Sequence, residues 1–198
     1  KEELPTWPKG SGWLETMIQM SVKNEIRLEI KNKFLSFSQG ETVEKTHQIQ
    51  KHLNKQELFH KAKKIGMFMP IEFEPKLVMS KDKKVYVPFI KDKVLGYGNI
   101  SEGVSLGAYG ILEPKSKKEV NIFELDIILV PFVGFNEKLY RLGRGKGFYD
   151  KTFVNIKSRT KRPVLWGVGF EMQKINLNFQ EKHDAKLDKV FTETEIYE

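Results

Sequence analysis

The sequence has no cysteine among its 198 residues. Disulfide bonding, thiolate nucleophilic catalysis and cysteine-ligated zinc are therefore excluded, and the composition is compatible with a reducing compartment. Histidine is scarce, at four copies; His47, His52 and His60 show no HExxH-type spacing and read as surface or cap residues. No apolar run approaches the roughly 20 residues that span a bilayer. The nucleotide pattern GxxxxGK[ST] is missing, and so is the dinucleotide pattern GxGxxG.

What is present is a globular composition, 39% hydrophobic with 12% aromatic residues, long enough to bury a core in one domain. Lysine and arginine outnumber aspartate and glutamate by 34 to 26, a net charge of +8. Such an excess favours anionic partners, namely nucleic acid, a membrane surface or a phosphorylated small molecule. The lysines are scattered rather than gathered in one arm, and a basic excess of this kind is most often plain solvated surface. Residues 1–20 carry Pro5, Pro8 and Gly10-Ser11-Gly12 without a sustained period or the apolar core of a secretory signal. They are expected to be a disordered or added leader, with Met20 a candidate start, the alternative being a targeting extension or an extra element. Residues 21–198 are expected to form a single catalytic domain.

From Ser21 onward Val22, Ile26, Ile30 and Phe34 recur every fourth residue, which predicts an amphipathic helix. Lys23 and Arg27 share a neighbouring face and, taken alone, fit its solvated edge. Ser38-Gln39-Gly40-Glu41 has the S-x-x-E form of a capping box and predicts a second helix carrying Val43, Ile49 and Leu53. Strands are expected over 64–69, 84–89, 127–130 and 164–170, with short helical pieces over 56–63, 76–81 and 151–158. This alternation predicts an α/β three-layer sandwich with a mostly parallel central sheet, Rossmann-like, and a ligand at the carboxyl ends of the strands.

The chain is organised around residues 127–150. An apolar strand ends at Pro131, and ten residues later comes Arg141-Leu142-Gly143-Arg144-Gly145-Lys146-Gly147-Phe148-Tyr149-Asp150. Gly143, Gly145 and Gly147 let an anion approach main-chain N–H groups, while Arg141, Arg144 and Lys146 supply charge and directional donors. A following helix would add its positive end, and Asp150 would offer an oxygen to a Mg²⁺ beside the phosphates. By itself a basic glycine loop is equally an ordinary strand-to-helix connection with solvated charges.

ILVPFVGFN followed by RLGRGKGFYD resembles the signature of the 5-formyltetrahydrofolate cyclo-ligase (5,10-methenyltetrahydrofolate synthetase) family, which is close to DLILVPGLAFD, a spacer and RLGxGxGYYD. Residues 23–27, 71–75, 107–114, 167–173 and 183–193 resemble further family segments in the right order, so the resemblance covers nearly all of 23–192. It implies ATP- and Mg²⁺-dependent conversion of 5-formyltetrahydrofolate to 5,10-methenyltetrahydrofolate, with release of ADP and phosphate, by a cytoplasmic monomer that needs neither nucleic acid nor membrane. It further implies that Lys23, Arg27, Arg141, Gly143, Arg144, Gly145, Lys146, Gly147 and Asp150 bind ATP, with Lys146, Arg144 and Tyr149 catalytic. Glu72, Phe148 and Tyr149 are the implied folate contacts, and Asp150 and Asp188 the metal ligands, with Asp184 the alternative to Asp188. Gln173 closes a family turn. Pro75 stands where threonine is common and Phe148 where tyrosine is common, so any role for those hydroxyl groups is lost. Asp150→Ala and Lys146→Ala are each expected to abolish turnover and leave the fold intact. The alternatives are another ATP- or phosphosugar-using α/β enzyme and a basic nucleic-acid-binding module.

Overall fold

The computed structural model describes residues 11–181 and 184–198. The first helix, α1 (Ser11–Phe34), begins ten residues before the expected position, so the second half of the segment set apart as a leader is helical. Ile26, Ile30 and Phe34 are buried on its inner face, as the fourfold spacing requires. The capping box forms as expected at the start of α2 (Gln39–Asn54): Glu41 N–H donates to Ser38 Oγ at 3.2 Å, and Ser38 N–H donates to the Glu41 carboxylate at 2.9 Å. Ile49 and Leu53 are buried, whereas Val43 is exposed. Thr46 takes the remaining inward position, its hydroxyl donating to Thr42 O at 2.7 Å. A short α3 (Glu57–Lys61) follows.

Five strands run parallel at the centre of the sheet: β1 (Lys64–Gly66), β2 (Lys84–Lys91), β7 (Ile127–Pro131), β10 (Val164–Val168) and β11 (Lys189–Phe191). Taken as first to fifth in the chain, they lie in the order 2-1-3-4-5, the flavodoxin-type variant of the doubly wound sheet. Three antiparallel strands extend it, β3 (Val94–Asn99) and β6 (Glu119–Val120) beyond β2, and β12 (Ile196–Tyr197) beyond β11. Two small ribbons complete the set, β4 (Val104–Leu106) with β5 (Leu112–Pro114), and β8 (Gly134–Phe135) with β9 (Arg141–Leu142).

The central strands bury both faces. Along β7, Ile127 and Leu129 join the cluster formed with α1, α2 and α3, while Ile128 and Val130 join a second cluster with Phe153 and Ile156. That is a three-layer sandwich, as composition and alternation predict. Two expectations fail locally. The first strand spans three residues rather than six, because residues 67–69 leave the ladder after Met67 N–H bonds Tyr86 O at 2.9 Å. Residues 76–81 are not helical. Leu77 and Met79 alternate onto the core while Val78 N–H donates to Gln50 Oε1 at 2.9 Å, so tertiary contacts with period two override a helical composition. Among the described residues no helix is long and apolar enough to cross a membrane.

Candidate active site

In a 2-1-3-4-5 sheet the crevice opens where the crossovers diverge, between the carboxyl ends of the first and third parallel strands. Here those strands are β1 and β7. A cavity of about 1200 Å³ lies there, lined from both sides by Phe68, Met69, Pro131 and Phe132, and roofed by residues 141–151 and part of α1.

The glycine loop is held from below by a buried ion pair. The β8/β9 ribbon returns the chain to Arg141, which is 5% exposed and donates through Nη2 to Asp150 Oδ2 at 2.9 Å. The guanidinium also lies 4.8 Å from the centre of the Tyr149 ring. Gly143 packs so closely that a Cβ there would stand 2.8 Å from Arg141 Nη1. Gly147 adopts a left-handed φ of 68° as it opens α4 (Phe148–Phe153), a turn that glycine makes without strain. At six residues α4 adds little dipole, so the positive field comes from side chains.

Helix α1 grips the loop from the side. Arg27 Nε donates to Gly143 O at 2.9 Å, and its Nη1 to Asn24 Oδ1 at 2.7 Å. Lys23, one turn earlier, bonds Glu181 at 2.5 Å and reaches Asp184 at 3.5 Å, while Glu181 N–H donates to Asp184 Oδ2 at 2.9 Å. Above the cavity Arg144 is exposed and weakly held, with Nη2 3.4 Å from both Glu72 O and Glu74 Oε1. Lys146 is likewise exposed, its Nζ 5.5 Å from the Tyr109 ring, which in turn faces Phe148 at 6.2 Å.

Lys23, Arg27, Glu72, Arg141, Gly143, Arg144, Gly145, Lys146, Gly147, Phe148, Tyr149 and Asp150 all border this cavity. Burial pushes the Tyr149 hydroxyl well above its usual range, and nearby Glu74 adds to the effect against the opposing Arg141 charge. Tyr149 therefore stays a neutral phenol and is no base near neutral pH. Asp150 Oδ1, Arg141 Nε and Tyr97 Oη are buried without a hydrogen-bond partner among the described residues.

Asp188 is not brought to the cavity. Arg162 donates to both of its oxygens at 2.7 and 2.8 Å, and Leu165 N–H adds a third bond at 2.8 Å. The expected metal role thus gives way to an anchor between β10 and the segment before β11. Burial opposes ionisation of Asp188, but Arg162, the Leu165 N–H and Lys157 outweigh it and hold the carboxyl below its usual range. The depressed value means that Asp188 stabilises the fold above its unfolded pKa of about 3.9, and that this contribution is lost as pH falls through the folded-state value. Asp188→Asn is therefore expected to lower stability by about 1–3 kcal/mol at pH 7, as charge-assisted bonds are weakened. The gap between the two proteins in urea denaturation should narrow as the pH is lowered below the ordinary carboxylate range; a gap independent of pH would contradict the assignment.

Gln173 also lies outside the cavity lining. Its amide donates to Phe132 O at 2.8 Å and Val133 O at 3.0 Å, and its Oε1 accepts from Phe170 N–H at 2.6 Å, so it shapes the exit of β7. His183 lies outside the described residues. Sequence reasoning missed Glu74, whose only local signal was being a second carboxylate two residues beyond Glu72. Glu181 was missed too, because nothing near it marks a partner for Lys23.

Fold and site together define a doubly wound α/β enzyme with its cavity at the carboxyl edge of the sheet and a cationic glycine loop above it. A profile of the 5-formyltetrahydrofolate cyclo-ligase family matches residues 19–193, and the chain belongs to that family of ligases. The 5-formyltetrahydrofolate cyclo-ligase of Haemophilus influenzae is 28% identical over 175 residues, 82% of this chain and 90% of that protein. The Escherichia coli K12 protein of the same name is 32% identical over 124 residues, 59% of this chain and 66% of its own. An NMR structure of Aquifex aeolicus 5,10-methenyltetrahydrofolate synthetase matches with a TM-score of 0.76 at 27% identity, covering 88% of this chain and 91% of that one. The Mycoplasma pneumoniae synthetase, at 22% identity and a TM-score of 0.69, shares the fold.

Proposed function

We propose that the protein converts 5-formyltetrahydrofolate to 5,10-methenyltetrahydrofolate at the expense of ATP, with Mg²⁺, as a cytoplasmic monomer. The observation that supports this most directly is the cationic loop of residues 143–147 over a cavity large enough for two substrates, in a chain of this family.

The chemistry starts from a poor leaving group. The formyl oxygen attacks the γ-phosphorus of ATP, the bond to the β,γ-bridging oxygen breaks, and ADP leaves. The nitrogen lone pair at N10 then attacks the activated formyl carbon, the carbon–oxygen bond breaks, and phosphate departs with the electron pair. The N10 proton ends on the released phosphate. Such a path needs positioning and charge neutralisation from the protein rather than covalent catalysis.

Lys146 and Arg144 are assigned to the transferred phosphoryl group, since both are exposed on the loop and weakly committed elsewhere. Arg27 holds the loop through Gly143 O, and Lys23 is the cation at the cavity edge, balanced by Glu181 and Asp184. Arg141 fixes Asp150. Asp150 Oδ1, buried and without a partner among the described residues, suits a Mg²⁺ held by one carboxylate and the nucleotide phosphates. When bound there, the ion would neutralise charge on the phosphates and orient them. Tyr149 and Phe148 offer flat surfaces for the pterin.

The test is the appearance of the methenyl chromophore from 5-formyltetrahydrofolate and Mg²⁺ with and without ATP. Product only in the presence of ATP is the expected outcome. Folded protein that binds ATP and forms no product would refute the reading and favour another phosphoryl-transfer substrate.

A further inference from the structure

Arg141 and Asp150 meet through a single hydrogen bond. Nε and Nη2 share one edge of a guanidinium, the edge that commonly meets both oxygens of a carboxylate in two parallel bonds. Here only Nη2 is used, on Asp150 Oδ2 at 2.9 Å. The neighbouring Nε and the second oxygen, Oδ1, are both buried without a partner among the described residues. A donor and an acceptor on one ion pair, each enclosed and each unanswered, mark a contact that is held open, because closing it would satisfy both.

The third buried atom of this kind is Tyr97 Oη, and the sheet delivers it to the same place. Tyr97 lies on β3, opposite Pro88 of β2. Its ring reaches across β2 to Gly66, the last residue of β1, where a Cβ would stand 3.2 Å from Tyr97 Cε1 and 3.1 Å from Ile128 Cγ1 of β7. The phenol therefore ends at the carboxyl edge of the central strands, beneath the loop. Tyr97 is 1% exposed and shares an apolar cluster with Ile128, Val130 and Phe153, against which Tyr149 packs. Burial pushes its hydroxyl well above the usual phenol range, with Tyr149 adding to the effect and the Arg141 charge opposing it, so the group is neutral and lies within the field of the guanidinium. The same strand is fastened to the helix that carries Asp150: Leu95 N–H donates to Thr152 Oγ1 at 2.8 Å, and the Thr152 hydroxyl to Phe148 O at 2.7 Å. Phenylalanine would fill this apolar position without burying a polar group, so the hydroxyl calls for a use.

We propose that Tyr97 is a positioning residue for the metal-binding carboxylate: its hydroxyl engages Arg141 Nε through one buried water, keeps the Arg141–Asp150 pair to a single bond, and so leaves Asp150 Oδ1 free for the cation. This rests on the cyclo-ligase reading of Asp150 and adds a residue outside the glycine loop that sets its metal affinity. A water at that point has the polar partners it requires. It accepts from Arg141 Nε–H and from the Tyr97 hydroxyl, and it donates to Asp150 Oδ1 until a cation takes that oxygen.

The probe is Mn²⁺, titrated with ADP present so that no turnover occurs and followed by the paramagnetic resonance of the free ion. The proteins are wild type, Tyr97→Phe, Asp150→Asn and the double variant. Tyr97→Phe should bind Mn²⁺ about 10- to 100-fold more weakly, the range for a residue that orients a metal ligand. Its melting temperature should equal or exceed that of wild type, since the ion pair is then free to close. In the Asp150→Asn background the same change should weaken Mn²⁺ binding no further, because the two act through one group. In turnover the Mg²⁺ concentration for half-maximal rate should rise by the same factor, with KM for 5-formyltetrahydrofolate unchanged, as Tyr97 does not border the cavity. The proposal is overturned if Tyr97→Phe keeps the wild-type Mn²⁺ affinity, with or without a lower melting temperature, if the loss persists in the Asp150→Asn background, or if wild type takes up no Mn²⁺ beyond that held by ADP alone. Weakened Mn²⁺ binding by Tyr97→Phe, together with a wild type that forms no methenyl product, would support the role of Tyr97 and overturn the cyclo-ligase reading, a separate result.

Discussion

Asp150→Asn should lower kcat by about 100-fold or more, the scale on which one preorganised charge contact at a reacting centre acts, and raise the Mg²⁺ concentration needed for half-maximal rate. The choice of asparagine follows from the structure. Arg141 is almost fully enclosed, with Asp150 as its ion-pair partner. Asp150→Ala would leave that guanidinium buried and unpaired, at a cost of about 3–5 kcal/mol, so lost turnover in the alanine variant would not separate a metal role from lost stability. Asparagine keeps a carbonyl acceptor for Arg141 Nη2 while removing the charge. The far-ultraviolet dichroism and a melting curve check that the protein is folded; steady-state kinetics against Mg²⁺ check the role. Wild-type turnover in folded Asp150→Asn would remove Asp150 from the metal site.

Lys146→Ala should have an effect of comparable size on turnover, about 10²- to 10³-fold, with almost none on stability. Lys146 is exposed and forms no ion pair among the described residues; its recorded contact is the face of Tyr109 at 5.5 Å. Removing it leaves no buried group unanswered, so the change in unfolding free energy should stay within about 0.5 kcal/mol. Lys146→Arg keeps the charge with a different donor geometry and should recover part of the rate. The measurement is single-turnover formation of the methenyl product, which separates phosphoryl chemistry from product release. A folded Lys146→Ala protein with full activity would end the phosphate-clamp assignment.

These two residues differ in how far they could be read in advance. Lys146 sits in a contiguous motif, and its environment is the motif itself. Asp150 belongs to the same motif, but its dependence on Arg141 is a matter of burial, which spacing does not reveal. Local signals were legible throughout: the fourfold period of Val22 to Phe34, the capping box at Ser38 and the apolar run at Ile127 to Val130 all form as expected. Legibility failed where a distant contact decides. Gln50 and the core hold residues 76–80 extended, and Arg162 captures Asp188 from 26 residues away.

The grip of α1 on the site also has a consequence for the order of assembly. Arg27 meets Gly143 across 116 residues of chain, and Lys23 meets Glu181 across 158. Contacts of such separation form only after long loops have closed. During synthesis the central β2–β1–β7 ladder can pair as soon as Pro131 has emerged, yet the cavity lining is complete only with Asp184. A nascent chain can therefore pair the three strands that flank the cavity before the last of the cavity-lining residues has been made.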